Sequence, residues 1–309
     1  MSAVSPSTRR LLQLGFGLII VASTIAVVGT GPLARGALAV SPTAILFAMT
    51  FTAVATLAAT WRWRVVSAAL GMPVTWAAGL SAYYRSQFLN SVLPGGVVGD
   101  VHRAYRQGAA RAVATERIAG QLVQGVVTVV VLSVLGLTEP LIGVAWIGAG
   151  AILALLVAVT VAAATRRGRR FVRREGSLLR ATFGSVRASL SIVAASVVVI
   201  AAHSATFVVA CLAVGVTASP RELVTLAVVA LAAAALPLSI GGWGPREAAS
   251  ASAFALAGLG AGVGLAASTA FGVLTLISVA PGLVVLIVEW AAARVVARPP
   301  VIRPEESLV

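Results

Sequence analysis

The 309-residue chain has no lysine, a single cysteine and two histidines, and only 10% of it is charged. Each shortage closes a class of function. Without lysine there can be no GxxxxGK[ST] loop, so no ATP-binding loop of that kind is present. Cys211, alone inside an apolar stretch, supports neither a disulfide framework nor a cysteine-ligated metal. His102 and His203, with no HExxH and no CxxC, give no metal-ligand spacing, so neither a metal nor a cofactor is expected. Ordinary soluble domains are about one quarter charged. A chain that is 59% hydrophobic cannot hide so much apolar surface inside a globule of its own, and lipid must be the solvent for most of it.

All 23 cations are arginine against 9 acids, a net charge of +14. In so apolar a chain this balance reports loops that face anionic headgroups, and no nucleic-acid partner is expected. Apolar runs at about 11–30, 41–60, 118–138, 141–164, 190–216 and 264–288 predict six transmembrane helices. The first run follows Arg9 and Arg10 and exceeds the core of a signal peptide, so it reads as a retained helix. Shorter apolar stretches at 223–238 and 248–263, and a mixed region at 65–98, predict two broken or re-entrant hairpins, at about 65–117 and 223–263. If the N-terminus is cytoplasmic, the segments 1–10, 61–117, 166–187 and 291–309 lie inside and each carries net positive charge, while the outside charges sum to zero. Both termini are therefore expected in the cytoplasm. Segment 165–187 reads as a basic loop or amphipathic helix on anionic headgroups, and residues 1–309 form one all-α transmembrane domain.

The two irregular regions resemble each other. One reads LPGGVVGDVHRAY from Leu93, the other LPLSIGGWGPREAA from Leu236. Each has Leu-Pro, then paired glycines, a further glycine, and an acid and an arginine within one helical turn. Proline removes a backbone donor and glycine lets the chain turn or approach a ligand, so Pro94, Gly95, Gly96, Gly99, Pro237, Gly241, Gly242 and Gly244 are expected to shape a cavity. In lipid, irregular backbone is tolerated only where it lines a cavity or is buried in protein. Entered from opposite faces, the two hairpins would form an inverted repeat of the kind found in secondary transporters. Arg103 and Arg246 suit a phosphate, because guanidinium offers a bidentate fork and the helix ends offer free N–H groups. Arg85, Arg106 and Asn90 are further substrate-binding candidates. Asp100 and Glu247 are candidates for neutralising the arginines or exchanging protons, with His102 as a pH-sensitive neighbour. The competing view is that each acid and arginine pair only to hold a helix end.

These motifs are similar to those of a known membrane family. YYRSQFLNSVLPGGVVGDVHRAYRQG, from Tyr83 to Gly108, and LPLSIGGWGPREAA resemble the lysylphosphatidylglycerol synthase transmembrane, or flippase-like, family, which includes the flippase half of the bacterial multiple peptide resistance factor. Pro245 departs from the aliphatic residue more usual there. The resemblance implies a protein of the bacterial cytoplasmic membrane that moves a lipid between leaflets, and it points to Asn90, Pro94, Gly95, Asp100, Arg103, Gly241, Gly242, Gly244, Arg246 and Glu247. The aminoacyl-transferase domain of fused members is absent, so synthesis of the aminoacyl lipid is not expected. The expectation is a flippase, not an enzyme, for an anionic or phosphate-bearing lipid, aminoacylated or glycosylated, working alone, as a homo-oligomer or beside a lipid-modifying enzyme. The alternative is a membrane glycosyltransferase, phosphatase or accessory subunit acting on polyprenyl-phosphate lipids.

Overall fold

The computed structural model describes residues 29–93, 96–134, 176–178, 180–235 and 244–296. Every regular element among them is helical; apart from helical residues at 176–178 and 180–182, they are α1 (Gly31–Leu38), α2 (Pro42–Ala69), α3 (Trp76–Val92), α4 (Val98–Arg106), α5 (Ala110–Val134), α6 (Val186–Ala213), α7 (Pro220–Ala234), α8 (Pro245–Leu256), α9 (Ala261–Ser278) and α10 (Pro281–Val296). Hydroxyl side chains start four of them. Ser41, Thr75, Ser185 and Ser219 each accept from a backbone N–H of the first turn, and proline follows at the opening of α2 and α7, where its missing donor costs nothing.

Four stretches are long and apolar enough to cross a membrane: Pro42–Ala69, Ala110–Val134, Val186–Ala213 and Ala261–Ala292. They correspond to four of the six runs read from the sequence. The run at 141–164 and nearly all of 11–30 lie outside the described residues, as does the basic stretch 166–175. Two boundaries differ from expectation. Helix α5 begins at Ala110, eight residues before the predicted span, because the charges at Glu116 and Arg117 are satisfied inside the protein and need no loop. The run 264–288 is divided at Val279–Ala280, where Pro281 cannot donate to the preceding turn.

Helices α2 and α6, each 28 residues long, pack together at the centre of the molecule. The larger core joins α2, α6, α7, α8 and α9 through Ala48, Phe207, Cys211, Leu226, Phe254 and Phe271. A smaller one around Trp63, Tyr83 and Val113 ties α2 to α3 and α5. Outward faces are apolar, with Leu46, Phe47, Val126, Val130, Leu190, Val197, Val284 and Ile287 exposed, as lipid contact requires. Close approach in this bundle depends on small residues. A Cβ added to Gly99 would lie 2.0 Å from the Ser86 carbonyl oxygen, so α4 can fold back on α3 only with glycine there.

The order of elements recurs. A 28-residue helix is followed by a shorter helix, a break, a short helix, a turn and another apolar helix, first in α2 to α5 and again in α6 to α9. In both short helices after a break the third residue is an acid, Asp100 in α4 and Glu247 in α8.

Candidate functional site

Three arginines and two carboxylates meet where α2, α3, α4, α5 and α6 converge. Glu116, 1% exposed, accepts hydrogen bonds from Arg62 Nε at 2.8 Å, Tyr83 Oη at 2.8 Å and Arg103 Nη2 at 3.1 Å. Arg62 reaches on to Ser196 Oγ at 3.0 Å, which anchors the cluster to α6. Arg103 is also 1% exposed and sits in the corner made by two edge-to-face rings, its guanidinium carbon 4.6 Å from the centre of Trp63 and 4.3 Å from that of Tyr83. Such contacts are each about 0.5–2 kcal/mol and suit a cation taken out of water. The Nε and Nη1 atoms of Arg103 are buried without a hydrogen-bond partner among the described residues.

Asp100 lies at the margin of this cluster. It accepts from Ser86 Oγ at 3.0 Å, Asn90 Nδ2 at 3.1 Å, Arg103 Nη2 at 3.1 Å and Arg117 Nη1. Asn90 also accepts from the Gly99 N–H at 2.7 Å, which closes the first turn of α4 against α3. Gly96 has φ +59° and reverses the chain, and Gly99 admits α4 so closely that one asparagine reaches both its backbone and its acid.

Around these groups lies a cavity of about 210 Å³, lined by Arg62, Arg103, Glu116 and Arg117 and by the amides of Gln87, Asn90, Gln121 and Gln124. Ala235, the last described residue before the second break, also lines it, so the end of α7 adjoins the first site. The three guanidiniums and two carboxylates leave the cavity one positive charge in excess, a setting suited to an anion.

The second break forms a separate pair. Gly244, with φ +115°, donates its N–H to Glu247 Oε2 at 2.7 Å; Arg246 Nε reaches Glu247 Oε1 and Ser268 Oγ, both at 3.0 Å, and its guanidinium lies 5.0 Å from the centre of Phe271. Both charged residues are buried. Pro237, Gly241 and Gly242 lie outside the described residues, as do Pro94 and Gly95 of the first break.

Arg103, Asp100 and Asn90 are thus brought together at the cavity, and Arg246 with Glu247 at α8 and α9. Arg85 and Arg106 point elsewhere. Both pair with Glu289 on α10, and His102 lies within range of their charges and away from the cavity. The sequence reading did not name as site residues Glu116, Arg62, Arg117, Ser86, Ser196 or the three glutamines at the cavity, nor Glu289, which holds Arg85 and Arg106 away from it. The signal for two was there, since an acid at 116 in the first turns of an apolar helix and one at 289 near the end of another are expensive at membrane depth unless partnered.

The sequence model of a family described as the lysylphosphatidylglycerol synthase TM region matches residues 10–282, which contain both breaks and all the charged side chains named above except Glu289. No curated protein and no solved structure matches the chain.

Proposed function

The chain belongs to the lysylphosphatidylglycerol synthase transmembrane family, and we propose that it moves an anionic, phosphate-bearing lipid between the leaflets of the bacterial cytoplasmic membrane. The observation that carries this reading is the polar cavity, with its excess positive charge, among helices apolar enough to face lipid. A headgroup requires such a polar place inside the hydrocarbon, because a charge is otherwise costly there. Arg103 and Arg117 supply the charge that attracts the phosphate, and Asp100 and Glu116 hold those arginines in place.

The recurrence of α2 to α5 in α6 to α9 supports an inverted repeat. With both termini inside, α2 runs inward and α6 outward, so the first broken hairpin enters from the cytoplasm and the second from outside. Ser196 lies ten residues into α6, a depth of about 15 Å, or half the hydrocarbon core. The first site then serves the inner half of the membrane, and the Arg246–Glu247 pair the outer half. Energy for directional movement would come from a gradient, a partner or downhill flow, and the basic segment 166–187 would sit on anionic headgroups.

Leaflet-resolved transport in proteoliposomes tests the proposal, using labelled phospholipids and polyprenyl-phosphate lipids with Arg103→Gln and Arg246→Gln as controls. The expected result is movement of one lipid class, unchanged in mass, falling at least tenfold in either variant. No movement of any lipid by folded protein would overturn it. A product of altered mass would favour an enzyme acting on polyprenyl-phosphate lipids.

A further inference from the structure

The cavity has two unlike walls. On the inner one every carboxylate is taken: Glu116 holds Arg62, Tyr83 and Arg103, and Asp100 holds Ser86, Asn90, Arg103 and Arg117. The outer wall is a stripe on α5, where Arg117, Gln121 and Gln124 fall at positions i, i+4 and i+7 and so share one helix face. These groups are largely uncommitted. Among the described residues Arg117 is bonded only through Nη1, to Asp100, and its side chain lines the cavity and is 37% exposed. Gln121 makes no hydrogen bond to a described residue. The Gln124 side chain makes one 3.4 Å contact, from Nε2 to Thr128 Oγ1, and its amide Oε1 has no hydrogen bond to a described residue. Across the cavity Gln87 accepts from Thr56 at 3.0 Å and keeps its amide N–H groups.

We propose that this stripe selects a phosphodiester whose headgroup is an uncharged polyol, glycerol or a sugar, over one that carries an ammonium. The inference rests on the reading of the cavity as a lipid headgroup site. A phosphodiester carries one negative charge, which matches the single excess cation. Vicinal hydroxyls both donate and accept, and the three glutamines offer both kinds of partner. An ammonium only donates. It would meet three guanidiniums beside two carboxylates already paired with them, and the uncharged glutamine oxygens that remain cannot offset that net positive charge, so repulsion opposes it. Residues 117 to 124 span about 10 Å along α5, the reach of a phosphate and one polyol unit.

Binding separates this inference from the transport proposal. Full-length protein in detergent is titrated with short-chain phosphatidylglycerol, phosphatidylethanolamine and lysylphosphatidylglycerol of equal acyl length. Phosphatidylglycerol is expected to bind at least tenfold more tightly than either amine-bearing lipid. In Gln121→Ala/Gln124→Ala that preference is expected to fall by about tenfold, the loss of two hydrogen bonds of ordinary net strength, with the unliganded melting temperature unchanged. Equal or tighter binding of an amine-bearing lipid would overturn the inference, as would a preference that survives the double substitution. If the preference holds but no lipid crosses between leaflets, the transport reading fails and this specificity stands. If amine-bearing lipids cross preferentially in an Arg103-dependent way, transport stands and the specificity fails.

Discussion

Glu116 is the only described carboxylate that binds two buried guanidiniums, those of Arg62 and Arg103, and its loss strands both. Removing one partner of a buried ion pair costs about 3–5 kcal/mol, because the remaining charge keeps its desolvation penalty without compensation. Glu116→Gln is therefore expected to destabilise the protein by about that amount in chemical unfolding in lipid–detergent micelles. Tyr83→Phe removes one neutral donor and should cost about 1 kcal/mol. Near-equal losses would show that the cluster is not organised around the carboxylate. At this scale the sequence was legible where chemistry stood beside a backbone break: Asp100, Arg103 and Asn90 flank the first, Arg246 and Glu247 the second. Glu116 has no backbone break beside it to mark it, and only the fold shows that its arginines come from α2 and α4 and that Gly120, one turn on, makes room for Arg62. Arg62 sits 54 positions away in the chain, a separation that no local pattern encodes.

Helix ends were readable because their signals are local. Ser219, Pro220 and Glu222 form a reciprocal cap at the start of α7, with Glu222 accepting from the Ser219 N–H and the Ser219 hydroxyl accepting from the Glu222 N–H. Hydrogen bonds from Ser219, backbone first and then side chain, hold the fully exposed Glu222 carboxyl below its ordinary range. An acid with a depressed folded-state pKa stabilises the fold above its unfolded value, and that contribution disappears as pH falls through the lowered one. The gap in melting temperature between the native chain and Glu222→Gln should accordingly be present at neutral pH and close below about pH 4. A gap independent of pH would rule out the carboxylate as its source. Less readable was the junction of α9 and α10, where the apolar pattern runs on through Pro281. Beyond it, Glu289 holds α10 to the first hairpin through buried Arg85 and half-exposed Arg106, while Ser268 on α9 touches the second charged pair. Glu289→Gln should cost about 2 kcal/mol in the same unfolding assay, less than Glu116→Gln because Glu289 is 29% exposed.

The topology of the whole molecule follows from charge and from the recurrence of elements, and the two make a joint prediction that neither makes alone. In the proposed orientation, read from arginine placement, both termini lie inside. Recurrence of α2 to α5 in α6 to α9 then requires the turn after α4 to lie at the cytoplasmic face, and the turns after α6 and α8 at the opposite face. Cys211 is fully buried, so the native thiol should contribute little background labelling. Gln107 and Thr217 are exposed in the turns after α4 and α6, and Ala257 is half-buried after α8. In oriented vesicles a membrane-impermeant maleimide should reach Gln107→Cys only from the cytoplasmic side, and Thr217→Cys and Ala257→Cys only from the other. Labelling of Gln107→Cys and Thr217→Cys from the same side would refute the orientation. If those two label as expected but Ala257→Cys reacts from the cytoplasm, the second hairpin does not return to the face it entered, and the two halves are not inverted copies. Both points were legible in the sequence as expectations, the first from counting charges and the second from the matched Leu-Pro and glycine breaks. The lengths and order of the helices add a recurrence that the spans themselves do not betray, because 28-residue helices opening as differently as PTAILFAMTF and VRASLSIVAA share no residue pattern.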